Sequence, residues 1–257
     1  MAELEIIRFD RNGLPEGFEP MGDFTPDMLA EGSPTPVEAG VNYFTSPDGR
    51  LTAGVWECTP VVTKLAPYAV DEFMLVLDGA ITIAYRDGHE DTFRAGEAFA
   101  IPKGLPIAWK QSETVLKYYV IHDGPTAAKA SAPGARAIRL DSHGPAGTGL
   151  QPMELPDASV FEGEPPRQNE HTYFEDASGQ LIAGVWTCSP MRRKASPFPR
   201  VELMCLLEGS VALTDDRGHS YKFQAPDVFL VPQGLVNAWH SSEDVRKYYC
   251  IYQPAGS

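Results

Sequence analysis

Two acidic residues stand where an acid is costly. Glu72 lies at the start of the run Val70–Ile81, VDEFMLVLDGAI, and Glu202 at the start of Val201–Val211, VELMCLLEGSV. Each run is apolar after its acid and ends in an acid-glycine turn, Asp78-Gly79 or Glu208-Gly209. Runs this short and glycine-bounded predict strands buried on both faces rather than helices. Side chains alternate along a strand, so Glu72, Met74 and Val76 point one way and Phe73, Leu75 and Leu77 the other. A carboxylate there must be paired, hydrogen-bonded or protonated. It is either a structural acid satisfied by a tryptophan N–H or a tyrosine O–H, or a carboxyl raised in pKa by apolar surroundings and able to work as a general acid or base.

The elements around these acids are duplicated. Glu72 and Glu202 are separated by 130 residues, and the same offset holds without a gap from Tyr43/Tyr173 to Ile121/Ile251. It relates Gly54–Trp56 to Gly184–Trp186, Cys58 to Cys188, Gly88-His89 to Gly218-His219, Trp109 to Trp239, and the KYY runs at Lys117 and Lys247. About 33 of roughly 80 aligned positions are identical, so the chain is a duplicated domain. Within a repeat the strands are short and turn-bounded: Leu51–Thr59, the Glu72 strand, Ala80–Arg86, then DTFRAG, AFAIP, PIAWKQ and VLKYYVIH. With no convincing helix between them, the class is all-β, a sandwich or barrel. Each half begins with its own arm and first strand, Ile6–Asp10 and Ala137–Asp141, and Asp27 could start one helical turn. The expected division is residues 1–123, a linker of small residues and prolines at 124–136, and residues 137–257.

At 257 residues, two domains can each bury a core. The 21 basic and 35 acidic residues give a net charge of −14, with no basic footprint for nucleic acid or an anionic membrane. The start, MAELEIIRFD, lacks the apolar segment of a signal peptide, and no apolar run approaches a membrane span. Four cysteines without zinc-like spacing read as buried free thiols. A cytoplasmic setting is the expectation.

The E-x6-G run followed by G-x5-P-x-G resembles the cupins, small jelly-roll barrels. More closely, the chain is similar to the subgroup that includes the EutQ proteins and the bicupin (S)-ureidoglycine aminohydrolase. The likeness is carried by AGVWECTP (Ala53–Pro60), PYAVDEFMLVLDG (Pro67–Gly79), AGEAFAIPKGLPIAW (Ala95–Trp109) and KYYVI (Lys117–Ile121), and by their counterparts in the second half. The resemblance implies two tandem cupin jelly-roll barrels, packed as a pseudo-dimer, with strand edges covered by exchanged arms. The family's metal signature places H-x-H before the glutamate and a histidine after P-x-G. Here those places hold Leu65–Tyr68 and Ala195–Phe198, then Ile107 and Asn237. One glutamate per barrel does not make a metal site of that type, so no metal ligand and no cofactor is assigned. The six histidines are at 89, 122, 143, 171, 219 and 240; His240 is expected to point outward by alternation with Trp239.

Parity puts Met74 beside Glu72, and the resemblance implies that Ile107, at the family's histidine position, and with it Trp109 face in, so the first barrel offers Glu72 among Tyr68, Met74, Ile107 and Trp109. The second offers Glu202, Met204, Asn237 and Trp239, with Arg200 at the approach. The tryptophans read as core packing, with ligand stacking as the other role. The repeated lysines Lys64/Lys194 and Lys117/Lys247 read as surface or rim ion pairs with Glu113/Glu243, with anion capture as the minority reading. Cys58 and Cys188 read as small buried hydrophobes rather than nucleophiles. The expected function is binding of a small polar or carboxylated metabolite. The protein is then a metal-independent acid/base enzyme (isomerase, lyase or hydrolase) using Glu72 or Glu202, or a non-catalytic binding or regulatory module. Its partner is a small molecule, without nucleic acid or membrane, and a homodimer of bicupins is left open by the apolar sheet faces.

Overall fold

The computed structural model describes residues 4–22, 24–124, 134–155 and 157–254. Most of the expected linker, residues 125–133, lies outside the described residues. Among the described residues, regular structure is strand throughout, apart from two short 3-10 turns, Pro26–Met28 and Ala158–Val160. The first holds the turn expected at Asp27. The chain forms two tandem jelly-roll barrels, each made of a large and a small antiparallel sheet.

The large sheet of the first barrel runs in the order Ile138–Leu140, Ala98–Ile101, Asp71–Asp78, Val115–His122, Leu51–Cys58, Glu38–Thr45, Glu19–Met21. Its small sheet has Pro106–Gln111 between Val61–Val62 and Ala80–Tyr85, with Glu90–Arg94 outermost. The second barrel repeats this order. Ile7–Phe9, Val228–Val231, Val201–Glu208, Val245–Tyr252, Leu181–Cys188, Gln168–Glu175 and Gln151–Pro152 make its large sheet. Met191–Pro197, Val236–Ser241, Ser210–Asp215 and Ser220–Gln224 make its small one. Each large sheet thus carries at one edge the leading strand of the other half. One compact unit comprises Phe9–Arg139 with Asp176–Gly179, and the other the described residues of Met1–Arg8, Leu140–Glu175 and Gln180–Ser257. The two edge strands are anchored alike. Arg139 bonds Glu97 and lies 4.3 Å over the Phe93 ring. Arg8 pairs with Asp227 at 2.8 Å and lies 4.3 Å over Phe223.

The core of each barrel sits between its two sheets. In the first, Trp56, Met74, Val76 and Tyr119 of the large sheet meet Ile81, Ile83, Phe93, Ile107 and Trp109 of the small one. Burying side chains of this size contributes about 1.5–3 kcal/mol each. The Glu72 strand is buried along both its rows from Asp71 to Val76, as an apolar run without alternation requires. It closes through Gly79 (φ 73°), as its counterpart closes through Gly209 (φ 78°), a backbone region open to glycine. Gly54 has a different role. A Cβ there would lie 2.0 Å from the Val41 carbonyl and 2.7 Å from the Tyr119 hydroxyl, so the close approach of the strands excludes any side chain.

Candidate functional site: two buried acid–lysine pairs

Glu72 and Glu202 both point into their barrels and are 2% exposed. Each meets a lysine from the adjacent strand of the large sheet. Lys117 Nζ donates to Glu72 Oε1 at 2.5 Å, and Lys247 Nζ to Glu202 Oε1 at 2.6 Å. Cross-strand register places Ile121 opposite Glu72 and Tyr119 opposite Met74. The lysine therefore reaches diagonally along the strand, its Nζ passing 3.2 Å from Met74 Sδ in one barrel and from Met204 Sδ in the other. Two indoles flank each ammonium. Lys117 Nζ is 4.7 Å from the Trp56 ring and 5.0 Å from Trp109. Lys247 Nζ is 4.7 Å from Trp186 and 5.4 Å from Trp239. The rings turn their negative faces to a desolvated cation, a contact worth up to about 2 kcal/mol.

Lys117 and Lys247 are thus not rim lysines paired with Glu113 and Glu243. Both are 5% exposed, and Glu243 instead accepts the Ser210 hydroxyl at 2.6 Å. Lys64 and Lys194 remain on the outside, donating to the carbonyls of Asp27 and Ser159, both at 2.7 Å. The tryptophans are core residues whose N–H groups are satisfied within the barrel: Trp109 by Gln111 at 2.8 Å and Trp239 by Ser241 at 3.3 Å. Cys188 is buried, and burial pushes its thiol up to about 12, so it is not a nucleophile at neutral pH. All four cysteines are buried thiols outside any disulfide. His240 is exposed, as alternation with Trp239 requires.

The two barrels part at the mouth. In the first, the Tyr68 hydroxyl donates to Glu72 Oε2 and covers the acid. A second buried acid, Glu38, accepts the Trp56 N–H at 3.3 Å and the Phe24 backbone N–H at 3.0 Å. In the second barrel Phe198 stands in place of Tyr68, Gln168 in place of Glu38, and Arg200 in place of Val70. Arg200 Nε donates to Glu202 Oε2 at 3.1 Å while its side chain is 35% exposed. Arg193, where the first barrel has Thr63, donates to Asn237 Oδ1 at 2.8 Å, to the Asn237 carbonyl at 3.2 Å and to Ser196 at 2.9 Å. Asn237, fully buried, turns its own amide N–H to the Leu235 carbonyl at 3.1 Å.

Burial alone would push the Glu202 carboxyl up, but the Lys247 and Arg200 cations outweigh it and hold the group below its ordinary value. The expectation of a raised carboxyl pKa fails at Glu202 for that reason. Lys247 is pulled below its ordinary value by burial, which the Glu202 charge only offsets, and Arg200 adds to the shift. Arg193 is likewise lowered by burial and by the neighbouring Arg200. These groups comprise three cations and Glu202, and Glu170, opposite Trp186 on the adjoining strand, adds a second acid that acts with Glu202 on Tyr249. The first barrel brings two acids, Glu72 and Glu38, to one cation.

The fold has relatives. A model of the EutQ-like cupin domain matches twice, over residues 45–119 and 175–249, more than half of the chain. The chain belongs to the EutQ-like cupin family. No curated protein matches this bicupin. A protein of unknown function from Pseudomonas syringae pv. tomato superposes with a TM-score of 0.75 at 23% identity, covering 97% of this chain and 100% of that one. A putative dioxygenase from Nostoc punctiforme gives 0.61 at 14% identity, covering 100% of this chain and 85% of that one. A cupin 2 conserved barrel domain protein from Leptotrichia buccalis gives 0.56 at 10%, covering 88% and 100%. These likenesses show the fold.

The metal that the cupin signature implies does not fit the residues at the bicupin's glutamates. An ammonium, a thioether and a phenol or guanidinium surround each carboxylate. A protonated lysine or arginine offers donors to an acid and no lone pair to a metal. The positive charge that balances the acid is already supplied by the chain.

Proposed function

We propose that this bicupin binds a small carboxylated metabolite at the mouth of its second barrel and moves a proton on it through the Lys247–Glu202 pair. The observation that carries this reading is the excess of cations there. Arg193, Arg200 and Lys247 gather about Glu202, with Glu170 as the second acid of that barrel wall, three cations to two acids in a chain of net charge −14. Arg193 bonds neutral oxygens, and Arg200 spends only its Nε–H on Glu202, so planar guanidinium edges remain for a carboxylate. The metabolite's carboxylate lies against Arg200 and Arg193, which places its adjoining atoms toward Lys247. A lysine lowered by burial between two indoles is the better proton carrier of the pair. Glu202, held as the anion, orients it and balances its charge. The reaction class is then proton transfer within an isomerase, lyase or hydrolase.

A second reading, binding without conversion, is favoured by one observation: both members of the pair are sealed. The side chains of Lys247 and Glu202 are 7% and 2% exposed. Two open clefts, of about 380 and 490 Å³, are lined by residues such as Asp78 and Thr114, or Lys222 and His240, and include neither pair.

The test is incubation of the protein with pooled small carboxylates in heavy water, followed by proton NMR. Conversion or deuterium incorporation is expected for one compound class, reduced by about 10²–10⁴ in Lys247→Met. Turnover left intact by both Lys247→Met and Glu202→Gln sinks the catalytic reading. Binding without any turnover establishes the second.

A further inference from the structure

Away from both acid–lysine pairs, the unit of the first barrel gathers three buried groups at one end of its large sheet. Asp71 opens the strand that carries Glu72, and His122 closes the neighbouring strand; register sets the two residues opposite each other. Asp176 comes from the 176–179 turn, which belongs to the same unit. His122 is fully buried, and Asp71 and Asp176 are 6% and 7% exposed. The ligand atoms of all three lie within 4.8 Å of one another, and His122 Nδ1 is 3.2 Å from Asp176 Oδ2. Asp71 Oδ1 accepts the Lys103 backbone N–H at 2.8 Å, while the Lys103 ammonium is drawn off to Asp123 at 2.6 Å. Ser178 donates to Asp176 Oδ2 at 2.5 Å and holds that carboxylate in place. Burial, and then the charge of Asp176, hold the Asp71 carboxyl above its ordinary value.

Two carboxylates this close and this buried need a positive charge between them. One imidazole nitrogen and two carboxylate oxygens are ligands of the type that bind first-row divalent ions. Ligands of a tetrahedral zinc ion stand about 3.4 Å apart, given metal–ligand distances of about 2.1 Å. The His122–Asp176 separation already fits that, and Asp71, within 4.8 Å of both, would close in by at most about 1.4 Å. The set belongs to one half only, because the counterparts of Asp71, His122 and Asp176 in the other repeat are Val201, Tyr252 and Ser46. It is therefore not a relic of the duplicated barrel motif.

We infer that Asp71, His122 and Asp176 form a structural binding site for a divalent metal ion, zinc by the mix of its donors, separate from the barrel glutamates. The three donors are buried, so the ion, its fourth position left to a water, ties the 176–179 turn to the two strands rather than meeting a substrate. This inference does not depend on the carboxylate reading of the second barrel.

The experiment is elemental analysis of the full chain, purified without chelator and then reconstituted with zinc, alongside melting with and without EDTA. About one equivalent of zinc per chain and a melting temperature lowered by EDTA are expected, with cobalt giving a visible d–d band. The ion should be lost in Asp176→Asn and in His122→Gln and kept in Glu72→Gln. Less than about a tenth of an equivalent in the reconstituted wild type, with melting indifferent to EDTA, overturns the inference whether or not the variants fold. So does an equivalent that persists in both Asp176→Asn and His122→Gln, or one that is lost in Glu72→Gln.

Discussion

The two barrels share a buried pair and differ in what surrounds it. Glu72–Lys117 and Glu202–Lys247 have nearly the same separation, sulfur neighbour and flanking indoles. At the mouth, Tyr68, Val70 and Thr63 become Phe198, Arg200 and Arg193, and inside, Glu38 and Ile107 become Gln168 and Asn237. The first barrel closes its acid under a phenol; the second gathers cations about the same acid. The pair is thus the common scaffold, and the halves differ at the mouth. On the proposed reading, an anion is repelled from one and drawn to the other.

The largest way to break the comparison is to remove one lysine. Lys117→Met should destabilise by about 3–5 kcal/mol in urea unfolding, because it leaves a buried carboxylate without its cation. Lys247→Met should cost less, because Arg200 still faces Glu202. The double variant Glu72→Leu/Lys117→Met should recover wild-type stability, as uncharged residues of similar volume replace the whole pair. Next comes Tyr68→Phe, which gives the first barrel the residue type of the second. Loss of one hydrogen bond to a charged acceptor should cost about 1.5–3 kcal/mol in the same unfolding experiment. Asn237→Ile makes the converse exchange. It removes one of the three acceptors of Arg193, whose bonds to Ser196 and to the backbone carbonyl at 237 remain, and should cost about 0.5–1.5 kcal/mol by thermal melting.

The smallest effect lies in pH dependence. The Glu202 carboxyl is lower in the folded protein than in the unfolded chain, so the folded state binds fewer protons in that window. Its stabilisation is present above the ordinary carboxylate pKa and is lost as pH falls through the lower folded value. Arg200→Met should move that loss to higher pH. The size is modest, about 1 kcal/mol or less, since Arg200 is partly exposed and screened by solvent. Urea midpoints between about pH 3 and 6 read it directly, and the first barrel, with Val70 at this place, provides the control.

The fold was legible because duplication doubled every signal. Strands bounded by Gly79 and Gly209 recurred at one offset, and their apolar runs declared burial on both faces. The inward placement of Met74 with Glu72 followed from strand parity, and that of Trp109, Asn237 and Trp239 from parity anchored on the histidine position of the cupins the chain resembles. Parity also held the answer for Lys117 and Lys247. A lysine inside the apolar run VLKYYVIH is as costly as a glutamate inside DEFMLVL, and the two repeat together. The nearby Glu113 and Glu243 suggested an outward lysine, because separation along the chain says nothing about which strands lie side by side. Arg193 and Glu38 gave no signal of their own, since each is an ordinary surface residue type in a short strand. The Asp71–His122–Asp176 set was out of reach for a related reason: its members are brought together by topology, with no local spacing to mark them.

The division of roles between the barrels stands most directly on where a carboxylate binds. Calorimetric titration of the protein with a panel of small mono- and dicarboxylates should find one site per chain. Affinity should fall at least about tenfold in Arg200→Met and hold within about twofold in Tyr68→Phe. Two equivalent sites, affinity unchanged in Arg200→Met, or no carboxylate bound at all would contradict that division.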